Sequence, residues 1–226
     1  MLINAIRYGY GFSEILVMFV SSLAVVFLTL PIHEWAHGFV STKLGDPTPR
    51  WQGRLTLNPM AHLDVMGAIG ILLFGIGWAK PVQVNARYYK NPKWGMALVA
   101  LAGPLSNVIL AFILLVLGNV LVVTGLTQMA IVAQARMFLW YIALINISLV
   151  VFNLIPVPPF DGSRILFAVL PQKYYFQIMR YERYIFIAIF AIVYLGVLDR
   201  PLDFLTSRLF NAVYSLSCIP FTLFGV

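Results

Sequence analysis

Three ionisable residues stand together at the end of a long apolar run: His33, Glu34 and His37. Residues spaced i and i+4 share one helix face, so both imidazoles can reach a single zinc ion. Glu34 lies about 100° round the helix from His33, close enough to touch a zinc-held water without taking a coordination site. Zinc lowers the pKa of such a water towards about 7, and a neighbouring carboxylate can then take its proton. The chemistry in prospect is metal-assisted hydrolysis. A fortuitous polar cluster at headgroup depth is the plainer reading, but the cost of placing three ionisable groups in a membrane helix weighs against it.

Two histidines leave a catalytic zinc one protein ligand short. His62, Asp46, Asp64, Asp161, Glu182, Asp199 and Asp203 are the remaining candidates. Asp161 follows Pro156, Pro158 and Pro159, which break the preceding helix and leave irregular backbone at the membrane edge. Such backbone needs a protein-lined or watery cavity. Asp161 could also cap the short helix Gly162–Leu170, a role compatible with metal binding. His62, in a loop on the same side, competes as third ligand or as a group that orients one.

The elements that position these residues are membrane segments. Of 226 residues, 61% are hydrophobic and 10% charged, against about 45–50% and about 25% in soluble domains. Disorder, a disulfide-stapled module and a soluble enzyme all fit poorly, and a single cysteine, Cys218, leaves no internal disulfide or cysteine cluster. Ile15 to Ile32 is charge-free over a spanning length and continues into the His-Glu motif, unlike a cleaved signal peptide. Trp94–Val123, Ile131–Pro156 and Tyr184–Leu198 read as spans or nearly so, and 202–226 as a weak span or interfacial helix. Val65–Trp78 is short and carries Gly67, Gly70, Gly75 and Gly77, which predicts a re-entrant segment. The expected fold is an all-α polytopic membrane protein in one domain (1–226; core 15–170, C-terminal helices 182–226). About 4–6 membrane segments are expected, including the re-entrant one, with a small β-element near the site.

Charge sets the orientation. If Val65–Trp78 is re-entrant, Lys43, Arg50, Arg54, Lys80, Arg87, Lys90 and Lys93 share one side with Arg164, Lys173, Arg180 and Arg183. Eleven of the fifteen basic residues then face the cytoplasm, whereas the Gly125–Ala130 turn opposite is uncharged. The net charge of +7 is thus a topology signal, and nucleic acid is not an expected partner. A multi-pass cell-membrane protein with its site towards the cytoplasm is expected. Pro31, two residues before His33, removes a backbone donor, frees the carbonyl of Phe27 and predicts a kink.

His33-Glu34-x-x-His37 within an apolar helix, followed by Asn153-x-x-Pro156-x-Pro158-x-x-Asp161-Gly162, resembles the site-2 protease family of intramembrane zinc metalloproteases. Gly53–Pro59, Gly77–Val82 and Ala102–Asn107 resemble its compact bacterial branch, so the likeness covers about residues 15 to 170. The resemblance implies one Zn2+ per chain held by His33, His37 and Asp161, with Glu34 as base. It also implies that Asn153, and alternatively Asn107, stabilises the oxyanion; packing between helices would explain Asn107 equally well. Many relatives add a PDZ or CBS module, and neither is expected in this chain. Substrate choice is then expected from the membrane core or from separate regulatory proteins.

Cleavage requires an exposed substrate backbone. Arg54–Leu57 and Pro81–Asn85 alternate polar and apolar residues, which predicts two short strands whose edge pairs with an unwound substrate through Leu55, Leu57, Val82 and Val84. The expected function is zinc-dependent endoproteolysis in or near transmembrane segments of other membrane proteins. A small transporter or metal carrier would also place His and Asp in the bilayer. It would not require a glutamate between zinc-spaced histidines. A non-catalytic relative that only holds membrane helices would have no need of all four residues.

Overall fold

A computed structural model describes residues 9–74, 77–123, 129–171, 177–178 and 180–223. Gly75, Lys173, residues 125–128 and residues 224–226 lie outside them. The first apolar run forms α1 (Phe12–Ala24), a π-helical turn (Val25–Thr29) and α2 (Leu30–Lys43), one continuous rod of 32 residues. The kink expected at Pro31 takes the form of this π-turn. The N–H of Leu30 reaches the carbonyl of Val25, and the wider turn makes room for a proline that cannot donate. The turn also lets consecutive residues face different neighbours: Val25 packs on Ile142 and Ile145, and Val26 on Leu30 and Ile71.

Three helices are long and apolar enough to cross a membrane: the rod Phe12–Lys43, α6 (Pro92–Val123) and α7 (Ala130–Asn153). Between the first two come α3 (Thr48–Trp51), α4 (Pro59–His62) and α5 (Val65–Phe74). Residues 77 and 78 lie back alongside the short α5: Gly77 and Trp78 sit against Gly67, where a Cβ at either glycine would overlap a carbonyl of the facing segment. The N–H of Lys80 then donates to the carbonyl of His62 at 2.8 Å. Entry and exit therefore meet on one side, as the re-entrant reading requires.

After α7 come α8 (Asp161–Val169), α9 (Glu182–Tyr194) and α10 (Asp199–Leu223). The expected span Tyr184–Leu198 is helical for only the 13 residues of α9. At about 1.5 Å per residue that is roughly 20 Å, short of a hydrocarbon core of about 30 Å. The central helix α6 packs against α2, α7, α8 and α10 and buries Gly95, Ala97, Ala100, Gly103, Ala111 and Gly118. Phe210 and Val213 of α10 close the core formed by Ala111, Leu115, Ala143 and Ile147. Small residues on one face let helices approach closely where lipid supplies no hydrophobic drive.

The expected small sheet is not formed: among the described residues there is no strand. Polar groups of both segments bond to other partners. The Arg54 guanidinium donates to the carbonyl of Ala61, while the N–H groups of Val82 and Asn85 go to Glu34 and Asp46.

Asp46 organises the C-terminal end of α2, which closes in a turn through Gly45. It is fully buried and accepts from Ser41 Oγ (2.7 Å), Thr48 N–H (2.9 Å) and Asn85 N–H (2.7 Å). The Tyr89 hydroxyl donates in turn to Ser41 Oγ at 2.7 Å. Burial alone would raise the Asp46 carboxyl, but these donors outweigh it and hold the group below its usual range. A carboxylate with a depressed pKa stabilises the fold above its unfolded value, about 3.9, and loses that contribution as pH falls through the folded value. Asp46→Asn should therefore lower the detergent Tm near neutral pH by an amount equivalent to about 1–3 kcal/mol. The Tm gap to wild type should narrow only below about pH 4. An equal gap at pH 7 and pH 3 would contradict this.

Candidate metal centre

The π-turn, the α6 crossing and the proline-broken loop before α8 bring three ligand atoms together. His33 Nε2 and His37 Nε2 are 3.1 Å apart, and Asp161 Oδ2 lies 3.3 and 3.2 Å from them. Both histidines are buried. His37 Nδ1–H donates to the carbonyl of Val99 at 2.7 Å, which leaves its Nε2 unprotonated and fixes the ring. Among the described residues Asp161 Oδ2 has no hydrogen-bond donor.

This set fits zinc. A tetrahedron with bonds of about 2.05 Å has edges of about 3.3 Å, matching the three observed separations. The space beside the ligand atoms is kept clear by Gly103 of α6, where a Cβ would come within 2.6 Å of His33 Nε2 and would also press on His37 Nε2.

Glu34 is buried on the same helix and is not among the grouped ligands. Its Oε2 accepts from Val82 N–H at 2.8 Å. Glu34 and the three ligands line a cavity of about 390 Å³ together with Val82, Val84 and Asn153. Asn153, the last residue of α7, donates one amide hydrogen to the Leu149 carbonyl at 3.0 Å. Asn107 is fully buried one turn beyond Gly103, its side-chain amide makes no hydrogen bond among the described residues, and it does not line the cavity. Leu55 and Leu57 do not line it either, and Leu57 is exposed. His62, the alternative third ligand, is buried elsewhere, with Nε2–H donating to the Thr56 carbonyl at 2.8 Å.

Sequence reasoning assigned no role at the metal to Gly103 or to the Val99 carbonyl. Gly103-Pro104 offered a signal, since a glycine before a mid-helix proline marks close approach, but it did not say to what. Gly103→Ala should weaken zinc binding by about 10- to 100-fold, as measured by chelator competition. Gly118→Ala on the same helix, where a Cβ meets nothing within 4 Å, should leave the affinity unchanged. Equal affinities for both variants would contradict the assigned role.

Comparison with known proteins agrees with this geometry. The profile of Peptidase family M50 matches residues 117–196, a stretch that includes Asn153 and Asp161. YwhC of Bacillus subtilis (strain 168), which carries a zinc metalloprotease name, is 43% identical over 162 residues, covering 71% of this chain and 74% of YwhC. MJ0611 of Methanocaldococcus jannaschii, similarly named, is 31% identical over 169 residues, covering 72% and 76% of the two chains. Rip2 of Mycolicibacterium smegmatis is 30% identical over 158 residues, 64% of this chain and 55% of that longer protein. No solved structure shows significant similarity. The zinc-shaped donor set and relatives matched over most of both lengths lead to one conclusion: the chain is a membrane protein of peptidase family M50, the site-2 protease family of zinc metalloproteases.

Proposed function

We propose that this zinc metalloprotease cleaves peptide bonds within or beside transmembrane segments of other membrane proteins, from the cytoplasmic side of a cell membrane. The observation that carries the reading is the cavity itself. It joins the His33–His37–Asp161 group and Glu34 to apolar walls from α2, α7 and α9, including Leu30, Leu149, Phe186 and Ile189. An apolar cleft reaching polar hydrolytic groups suits a membrane segment better than a soluble peptide. The basic residues gathered around this end of the bundle support a cytoplasmic orientation.

Zinc held by the three ligands would supply Lewis acidity towards water and the scissile carbonyl. The remaining work falls to the chain. Glu34, with Oε2 anchored by Val82 N–H, keeps Oε1 to accept a proton from the attacking water and return it to the leaving amine. Asn153 has a second amide hydrogen beyond the one given to Leu149 and can donate it to the developing oxyanion. Between the anchored N–H groups of Val82 and Asn85, Gln83 and Val84 make no hydrogen bond among the described residues. They can pair with an unwound substrate even though no sheet is preformed. Leu55 and Leu57, placed away from the cavity, have no part in this mechanism.

The test is cleavage of a labelled transmembrane peptide by purified protein in detergent. Glu34→Gln should retain one zinc and lose activity by about 10²–10⁴-fold. Val84→Pro, which removes the N–H offered to substrate, should retain zinc and cleave at least about tenfold more slowly. Full activity in Glu34→Gln, or an active zinc-free wild type, would overturn the reading.

A further inference from the structure

A second cavity of about 390 Å³ adjoins the first and contains none of the metal-binding group. The two share Pro81, Val82, Val84, Pro159 and Arg164, so they form consecutive compartments of one cleft. Their character differs. The first is walled mainly by apolar side chains, whereas Gln83, Lys93, Ser163, Arg164 and Glu182 face the second.

Arg164 stands at the junction, one helical turn after the ligand Asp161. It is half-buried, and its one polar contact among the described residues is Met96 Sδ at 3.8 Å. No carboxylate of the described residues lies within ion-pair distance of it. Lys93 on the same wall is already engaged, donating to the Leu170 carbonyl at 3.0 Å. Glu182 lines the compartment without pairing to either cation. A guanidinium offers five donors in a planar fork that matches a carboxylate. Leaving it half-desolvated against a thioether is unfavourable unless an incoming group completes it.

We infer that Arg164 is a specificity-determining residue that receives an acidic side chain of the substrate. Resting on the proteolytic reading above, this defines the substrate class: a membrane segment whose polar flank carries Asp or Glu at a set distance from the scissile bond. The apolar compartment takes the membrane-derived part of the chain. Val82–Val84 guides it past the metal, and the basic compartment takes the flank. Two cations against one carboxylate make the second compartment complementary to an acid and unfavourable to a lysine.

Binding tests the inference separately from catalysis. Zinc-loaded Glu34→Gln protein would be titrated with transmembrane peptides, amidated at the C-terminus so that only side-chain carboxylates are presented. Each peptide carries one Asp, Asn or Lys at successive positions on both sides of the bond that wild type cuts. In one narrow window Asp should bind about tenfold more tightly than Lys. Adding Arg164→Glu should invert that preference, and Arg164→Lys should keep its sign at reduced size. Zinc content and Tm show that each variant is folded; if Arg164→Glu is not, loss of the preference in Arg164→Gln takes its place. Absence of any discriminating position, or an unchanged preference without Arg164, would overturn the inference. Failure of wild type to cut any of the peptides would instead overturn the proteolytic reading, whatever the binding data show.

Discussion

Two imidazole nitrogens and a carboxylate oxygen within 3.1 to 3.3 Å of one another form the contact on which this structure depends. Three electron-rich atoms, largely removed from water, are held together favourably only by a cation. Each neighbouring element can be understood by what it does for that meeting. The π-turn accommodates Pro31 and sets the rotation of α2, the Val99 carbonyl holds one imidazole, and Gly103 keeps the metal's space clear. Three prolines end α7 so that Asp161 can approach from another direction.

A second set of contacts governs what lies beside the metal. Glu34 and Asp46, about three turns apart on and just beyond one helix, each accept a backbone N–H from the segment between α5 and α6. That segment forms a wall shared by both compartments of the cleft. Glu34 and the Val82–Asn85 backbone are thereby fixed relative to one another without a sheet. Those bonds engage the N–H groups of Val82 and Asn85, whereas Gln83 and Val84 make none among the described residues.

Much of this was legible in the sequence because membranes make polar residues informative. Hydropathy gave the three long helices, glycine spacing and charge gave the returning segment, and His33, Glu34 and His37 announced themselves by cost and periodicity. Asp161 was ambiguous with His62 until the fold separated them by burying His62 against Thr56. Alternation in Arg54–Leu57 and Pro81–Asn85 misled, because period-two patterning reports a half-buried extended chain and says nothing about whether its N–H groups have other acceptors. Asp46 was visible only as an acid without a role; its acceptor function depends on Asn85, 39 residues away. Arg164 read as a topology charge, and its place between two cavities depends on tertiary packing.

X-ray absorption at the zinc edge of the purified, zinc-loaded wild-type protein tests the central claim most directly. The account predicts one zinc per chain surrounded by four nitrogen and oxygen atoms at about 2.0 Å, with the outer-shell pattern of two imidazoles. A sulfur neighbour at about 2.3 Å, a six-oxygen shell, or three imidazoles that would bring in His62 would contradict it.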